Sequence, residues 1–335
     1  MVRRGITVAA VLLAGILLAG CSPDPSVAAG RLAVEGYVEP GSGAAGRVTA
    51  AADRASTIGI DGVTLADDGA TLLDPPDGTA ALARTATRAG SSPELLVSNF
   101  SSDLGDFSPQ IGTALLSHAA HRSAVADELA RRAHDLGMRG VQIDLESLRA
   151  RDRAGLVAFA GELSDAVHDR LGRSARVSIA VMASTDADGY RDTGYDLRRL
   201  ARHVDRVVLM TYDQHGPWSG PGTIGSLPWT ERVVRAAEAE GVPRSRIDLG
   251  IAGYGYVWGG EHDGEQVTPA RAAELAGKAA TWSARDGEWS AALRDGVRVH
   301  WSDARSYRAR VALATTLHLH GVALWSLNLE ALPRT

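Results

Sequence analysis

Gly140-Val141-Gln142-Ile143-Asp144-Leu145-Glu146 alternates branched apolar residues with small or polar ones and closes on two carboxylates. A strand has a side-chain period of two, so Val141, Ile143 and Leu145 take one face and Gln142, Asp144 and Glu146 the other. A parallel barrel strand buries both faces, one under helices and one in the barrel interior. Two acids on the inner face at the C-terminal end are costly there unless they do chemistry. Same-face neighbours lie roughly 6–7 Å apart, close enough for each carboxyl to bias the other's ionisation. A plain buried strand with Glu146 capping the next helix would explain one carboxylate and leave the other unexplained.

Outward from this stretch, apolar strand-like runs alternate with helical patterns. The runs are 32–38, 57–65, 94–99, 140–146, 175–182, 205–212, 247–252 and 321–327. That alternation predicts βα units and a parallel sheet, and eight strands suffice to close a (β/α)8 TIM barrel, an α/β fold. Val125, Leu129, Ala133 and Leu136 recur at helical spacing, with Gly137 placed to end the helix in the left-handed conformation. Leu156, Phe159, Leu163 and Val167 mark a second helix stopped by Gly172, and Thr230 is read as the cap of a third, closed by Gly241 and Pro243. The interval from Gly253 to His320 is too long for a βα loop. A helical stretch near Pro269–Lys278 and two strand-like segments joined at Asp295-Gly296 predict a small α+β insertion between strands 7 and 8, at about 253–305.

The chain has 335 residues, 45% of them hydrophobic, and a net charge of −5, which excludes a disordered chain and gives no sign of nucleic-acid binding. Residues 1–20 read as a leader, with Arg3 and Arg4 ahead of an apolar run from Ile6 to Ala19 that is too short for a membrane span. The run ends Leu18-Ala19-Gly20-Cys21, which looks like a bacterial lipoprotein processing site, and Cys21 is the only Cys. Cleavage there and diacylation would tether the protein to the outer face of the bacterial cell membrane, with 21–30 as a linker and 31–335 as the catalytic barrel. An ordinary secretory signal with an incidental Cys is the plainer alternative.

Two further strands carry chemistry. Strand 6 ends Met210-Thr211-Tyr212-Asp213, with Met210 and Tyr212 on one face so that a phenol points into the barrel mouth. Strand 8 holds Trp325 above the small Ala323 on one face, leaving an indole free as an apolar platform. Asn99, Tyr254 and Tyr37 end or follow strands 3, 7 and 1 and are weaker candidates for ligand contacts, equally suited to loop scaffolding. Trp218 and Trp258 are assigned to loops. His318 and His320 have no metal-site spacing, and no dinucleotide, P-loop or Gly-x-Ser-x-Gly pattern occurs, so neither metal nor cofactor is implied.

The strand-4 pattern resembles the Asp-Gly-x-Asp-x-Asp-x-Glu motif of family 18 glycoside hydrolases. Gly140, Asp144 and Glu146 match, whereas Arg139 stands at the first Asp and Gln142 at the middle one. Met210-x-Tyr212-Asp213 resembles the family's strand-6 motif, and Gln214-His215-Gly216-Pro217-Trp218 is similar to the branch that trims bacterial peptidoglycan, including spore-cortex N-acetylglucosaminidases. The resemblance implies retaining, substrate-assisted hydrolysis of β-linked N-acetylglucosamine bonds in peptidoglycan or its fragments. Glu146 would be the general acid, Asp144 would take the acetamido N–H, and Tyr212 would hold the acetamido oxygen. Asp213 would hold a sugar hydroxyl, Trp325 would floor the reacting subsite, and Gln142 and Met210 would line it. Because Gln142 cannot ionise, Asp144 is expected to stay charged throughout. A chitinase-type hydrolase and an inactive sugar-binding lipoprotein on the same barrel are the alternatives.

Overall fold

The computed structural model describes residues 32–334, within which eight parallel strands close into a barrel. The strands are β1 (Ala33–Val38), β2 (Thr57–Thr64), β3 (Ser92–Ser98), β4 (Gly140–Asp144), β5 (Arg176–Met182), β6 (Arg206–Met210), β7 (Ile247–Ala252) and β8 (Gly321–Trp325). They follow one another around the ring in chain order, β8 closing on β1. The fold is thus the expected TIM barrel. The leader, the linker and Cys21 lie outside the described residues.

The two periodicities explain why these segments pack as they do. Val141 and Ile143 are buried on the outer face of β4. They share the core with Val125, Leu129 and Ala133 of helix Ala119–Leu136 and with Leu156, Phe159, Leu163 and Val167 of helix Arg153–Leu171. Full burial of each large aliphatic contributes about 1.5–3 kcal/mol, so this layer fixes the orientation of β4. Gly137 ends the first of these helices at φ 75°, ψ 29°, as its position predicted. Gly155 lets the second cross closely, since a Cβ there would stand 2.2 Å from the Leu116 carbonyl oxygen.

One boundary differs. Thr230 does not cap its helix, which begins at Leu227 behind Ser226 with Pro228 in its first turn. Proline suits that turn because the N–H it lacks has no helical partner there. Thr230 is instead a fully buried residue one turn further in.

Between β7 and β8 stands a separate antiparallel sheet. Its order is Gln266–Val267, Gly255–Trp258, Arg298–Trp301, Glu288–Ala292, Thr281–Ser283, and helix Pro269–Ala276 packs against it. Asp295 and Gly296 both take positive φ (57° and 80°), as a primed hairpin turn requires. Trp258, expected in a loop, belongs to this sheet and donates its indole N–H to the Gly216 and Ser219 carbonyls, both at 3.1 Å.

The barrel interior below the mouth is polar, where branched aliphatics usually fill it. Arg206 on β6 donates to Glu94 (2.6 Å), Asp248 (2.9 Å) and Glu35 (3.3 Å), all buried. Burial pushes the Glu35 carboxyl up to about 8 against the pull of Arg206, with Glu94 and Asp248 pushing the same way. Three acids thus surround one guanidinium, and burial with two like charges biases Glu35 toward its protonated form.

Candidate active site

At the C-terminal end of the strands a cleft of about 440 Å³ opens, lined among others by Tyr37, Gln142, Asp144, Glu146, Met210, Tyr212, Asp213, Tyr254 and Trp325. Its volume falls in the range of small-ligand sites, and its position is the one TIM barrels use for chemistry. All but one of the residues expected at the site therefore converge on one cavity.

The exception is Asn99. It lines no part of the cleft and is fully buried beneath it. The β4 ladder stops at Asp144, leaving Glu146 without a neighbouring strand to pair with. The Asn99 amide fills that gap: its oxygen accepts from the Glu146 N–H and its nitrogen donates to the Glu146 carbonyl, each at 2.9 Å. It also donates to the Ser108 carbonyl at 2.8 Å. A primary amide offers the same donor and acceptor pair as a peptide unit, so Asn99 stands in for a strand and fixes Glu146 from behind.

Around the cavity several hydroxyls already have partners. Tyr37 donates to the Gln142 amide oxygen at 2.8 Å, and Gln142 donates onward to Ser178 at 3.0 Å and toward Glu35 at 3.4 Å. Tyr254 and Tyr256 both donate to Asp213 Oδ1, at 2.7 and 3.2 Å. Asp213 itself takes φ 57°, past the end of β6. The Tyr37 ring sits 5.3 Å from that of Trp325, tilted by 53°, and Ala323 is buried beneath them. The Trp325–Ser326 peptide bond is cis. Trp218 is two-thirds exposed and lines the rim, its ring 6.0 Å from Tyr256.

Electrostatics separate the two strand-4 acids from ordinary carboxylates. Burial pushes Glu146 well above its usual range, and the charges of Asp144, Asp213 and Asp106 push it further. Asp144 rises to about 7, first through burial and then through the Asp61 carboxylate. This runs against the expectation of a permanently charged Asp144: burial, with Asp61 on another strand adding to it, biases the carboxyl toward its protonated form. Burial and nearby acids likewise keep the Tyr212 phenol protonated.

Sequence reasoning missed five contributors. Asp106 and Phe107, on a short hairpin after β3, line the rim, as do Trp229 and Gln266. Nothing local marks them. Asp61 did carry a signal, an acid inside the apolar β2 run Thr57-Ile58-Gly59-Ile60-Asp61.

A TIM barrel whose mouth gathers buried acids, a phenol and an exposed-edged indole has the build of a glycoside hydrolase. The comparisons agree: the sequence model of "Glycosyl hydrolases family 18" matches residues 99–330, and the chain belongs to that family. It is 28% identical over 236 residues to the "Cortical fragment-lytic enzyme" of Bacillus subtilis, covering 67% of this chain and 54% of that one. It is 26% identical over 163 residues to the "Uncharacterized glycosylase YvbX" of the same organism, covering 49% of this chain and 47% of that one. The chain thus spans about half the length of these relatives. Among solved structures it resembles the spore cortex-lytic enzyme SleL of Bacillus cereus (TM-score 0.78, 22% identity, 89% of this chain and 71% of that one). It also resembles a chitinase from Chromobacterium violaceum (TM-score 0.79, 23% identity, 90% and 95%).

Proposed function

We propose that the protein hydrolyses β-linked N-acetylglucosamine bonds in peptidoglycan or its fragments, with retention and with help from the substrate's own acetamido group. The observation that carries this reading is the convergence of Asp144, Glu146, Tyr212 and Trp325 on one cleft. Glu146, held protonated by its burial, donates to the departing glycosidic oxygen. The acetamido carbonyl oxygen attacks the anomeric carbon as that bond breaks, forming an oxazolinium-like ring. Asp144, as an anion, accepts the acetamido N–H and stabilises the positive charge, while Tyr212 donates to the acetamido oxygen. Glu146, now a carboxylate, takes a proton from water as that water attacks the anomeric carbon and opens the ring. Trp325 supports the apolar face of the sugar, and Asp213, oriented by two tyrosines, accepts from a hydroxyl.

Kinship to the cortical fragment-lytic enzyme supports peptidoglycan as the polymer. The lipoprotein-like Leu18-Ala19-Gly20-Cys21 supports a tether at the outer face of the membrane. Among the described residues no helix is long and apolar enough to cross a membrane.

The test is to incubate the soluble domain and Glu146→Gln with purified peptidoglycan and with chitin oligomers, and to weigh the products. New reducing N-acetylglucosamine ends from peptidoglycan are expected, with a 10²–10⁴-fold loss in the variant. Cleavage of chitin alone would reassign the substrate. Binding without cleavage would make the protein a sugar-binding lipoprotein, and full activity of Glu146→Gln would overturn the mechanism.

A further inference from the structure

Family 18 enzymes usually place a carboxyl two residues before the position of Asp144, and here that position is Gln142. The amide is fully committed elsewhere, to Tyr37, Ser178 and Glu35. Asp144 Oδ1 is buried and has no hydrogen-bond partner among the described residues. A buried acid with a free oxygen responds strongly to any charge facing it.

Strand register puts one such charge on the same wall. Asp61 of β2 lies opposite Leu96 of β3, and Leu96 lies opposite Gln142 of β4. Leu96 and Gln142 both line the cleft. Neighbours in register on parallel strands point to the same side, so Asp61 occupies the inner rung of the very residue that has lost its carboxyl. The register slips between Asp61 and Val63, a bulge after which pairing resumes at Val63–Val97 and Thr64–Ser98. Bulges of this kind re-aim a side chain beside active sites. Asp61 is half-buried.

We propose that Asp61 is a positioning residue for the reaction: as an anion on the inner wall, at the rung of Gln142, it strengthens the pull of the Asp144 carboxylate on the acetamido N–H. The proposal rests on the substrate-assisted reading above. The groups facing the pair are all acids or phenols. Glu39 lies beyond β1 and presses on Asp61. Tyr37 comes from β1, Glu146 follows β4, Tyr195 lies between β5 and β6, and Tyr212 with Asp213 follows β6. Asp106 comes from the hairpin after β3, and the cleft lining includes no Arg, Lys or His. Arg206 on the barrel floor bears on Tyr37 from below, and its charge is engaged by Glu35, Glu94 and Asp248. Asp61 is itself pushed up to about 6, through burial and Glu39.

The test compares the parent with Asp61→Asn and Asp61→Glu, both in kcat/KM against pH on an N-acetylglucosamine oligomer and in carboxyl ¹³C titration, with Asp144→Asn identifying the resonance. In Asp61→Asn the Asp144 midpoint and the acid limb of kcat/KM should fall together by about one pH unit. Plateau kcat should fall as well, while Asp61→Glu keeps the parent's limb and midpoint. An Asp144 midpoint unchanged in Asp61→Asn overturns the proposal. A parent inert on every such glycan, with the midpoint nevertheless shifting, would sink the hydrolytic reading and leave the Asp61–Asp144 link standing.

Discussion

Arg206→Met should convert the barrel's polar interior from an asset into a pH-dependent liability. Arg206 makes three short contacts, to Glu94, Asp248 and Glu35 at 2.6, 2.9 and 3.3 Å, and its side chain is 4% exposed. Methionine has a similar length but donates nothing, so three buried acids lose their shared cation. Removing one partner of a buried ion pair costs about 3–5 kcal/mol. For some 300 folded residues the unfolding entropy is about 0.6 kcal/mol per degree, so the melting temperature should drop by roughly 5–8 °C at pH 8. Lower pH supplies the remedy. Neutralising a carboxyl whose unfolded value is near 4.3 costs about 5 kcal/mol at pH 8 and about 1 kcal/mol at pH 5. The sign follows from a folded-state value lying above the unfolded one: the protonated form is the stable one in the fold, and its advantage is lost as pH rises. Urea unfolding of parent and variant at both pH values measures the difference, and the variant's deficit should shrink to about half or less at pH 5. A deficit under 1 kcal/mol at pH 8, or one that does not depend on pH, would refute this account of the cluster.

Two other variants probe the supports of the site. Asn99→Ala removes both hydrogen bonds that pin the Glu146 backbone. It should lower kcat by about 10- to 100-fold with KM within a factor of three, because a misplaced general acid hurts the transition state and not binding; an unchanged kcat in steady-state assays would return Asn99 to ordinary scaffolding. Trp325→Ala deletes the proposed sugar platform and should cost about 1–2 kcal/mol of oligomer binding by calorimetry, with Trp325→Phe recovering part of it. Equal affinity for parent and alanine variant would remove Trp325 from the binding surface.

What the sequence discloses here is what depends on neighbours along the chain. The eight strands, the helix carrying Val125, Leu129 and Ala133 with its Gly137 stop, and the Asp295-Gly296 turn follow from periodicities of two and 3.6 and from turn chemistry. Cross-strand consequences were hidden. Asn99 lies 47 positions from Glu146 and looked like a mouth residue, yet it completes a strand end that β4 lacks. Asp144 was expected to stay anionic because its sequence neighbour is an amide, but burial first, and then Asp61 on another strand, push its carboxyl up. Thr230 is a good cap by type, but with Pro228 in the first turn the cap lies four residues earlier, at Ser226. In each case the deciding partner is a spatial neighbour that one-dimensional spacing does not reveal.

The amide at position 142 then has a physical reason that the active site alone does not supply. Gln142 lies between the cleft and the Arg206 cluster, touching Tyr37 above and Glu35 and Ser178 below, and Ser178 donates in turn to Glu94 at 2.9 Å. Below it three carboxyls already share one guanidinium, and burial already pushes Glu35 toward its protonated form. A fourth buried acid at position 142 would face Glu35 with no added cation and could satisfy its own oxygens only by taking protons from its neighbours. An amide instead offers N–H donors downward to the acid-rich layer and an acceptor upward to the Tyr37 phenol. The polar barrel floor thus selects a neutral residue at the position where the family usually has an acid. Once that position is neutral, a charge acting on Asp144 must come from another strand, and on the inner wall of this barrel Asp61 stands in the matching rung.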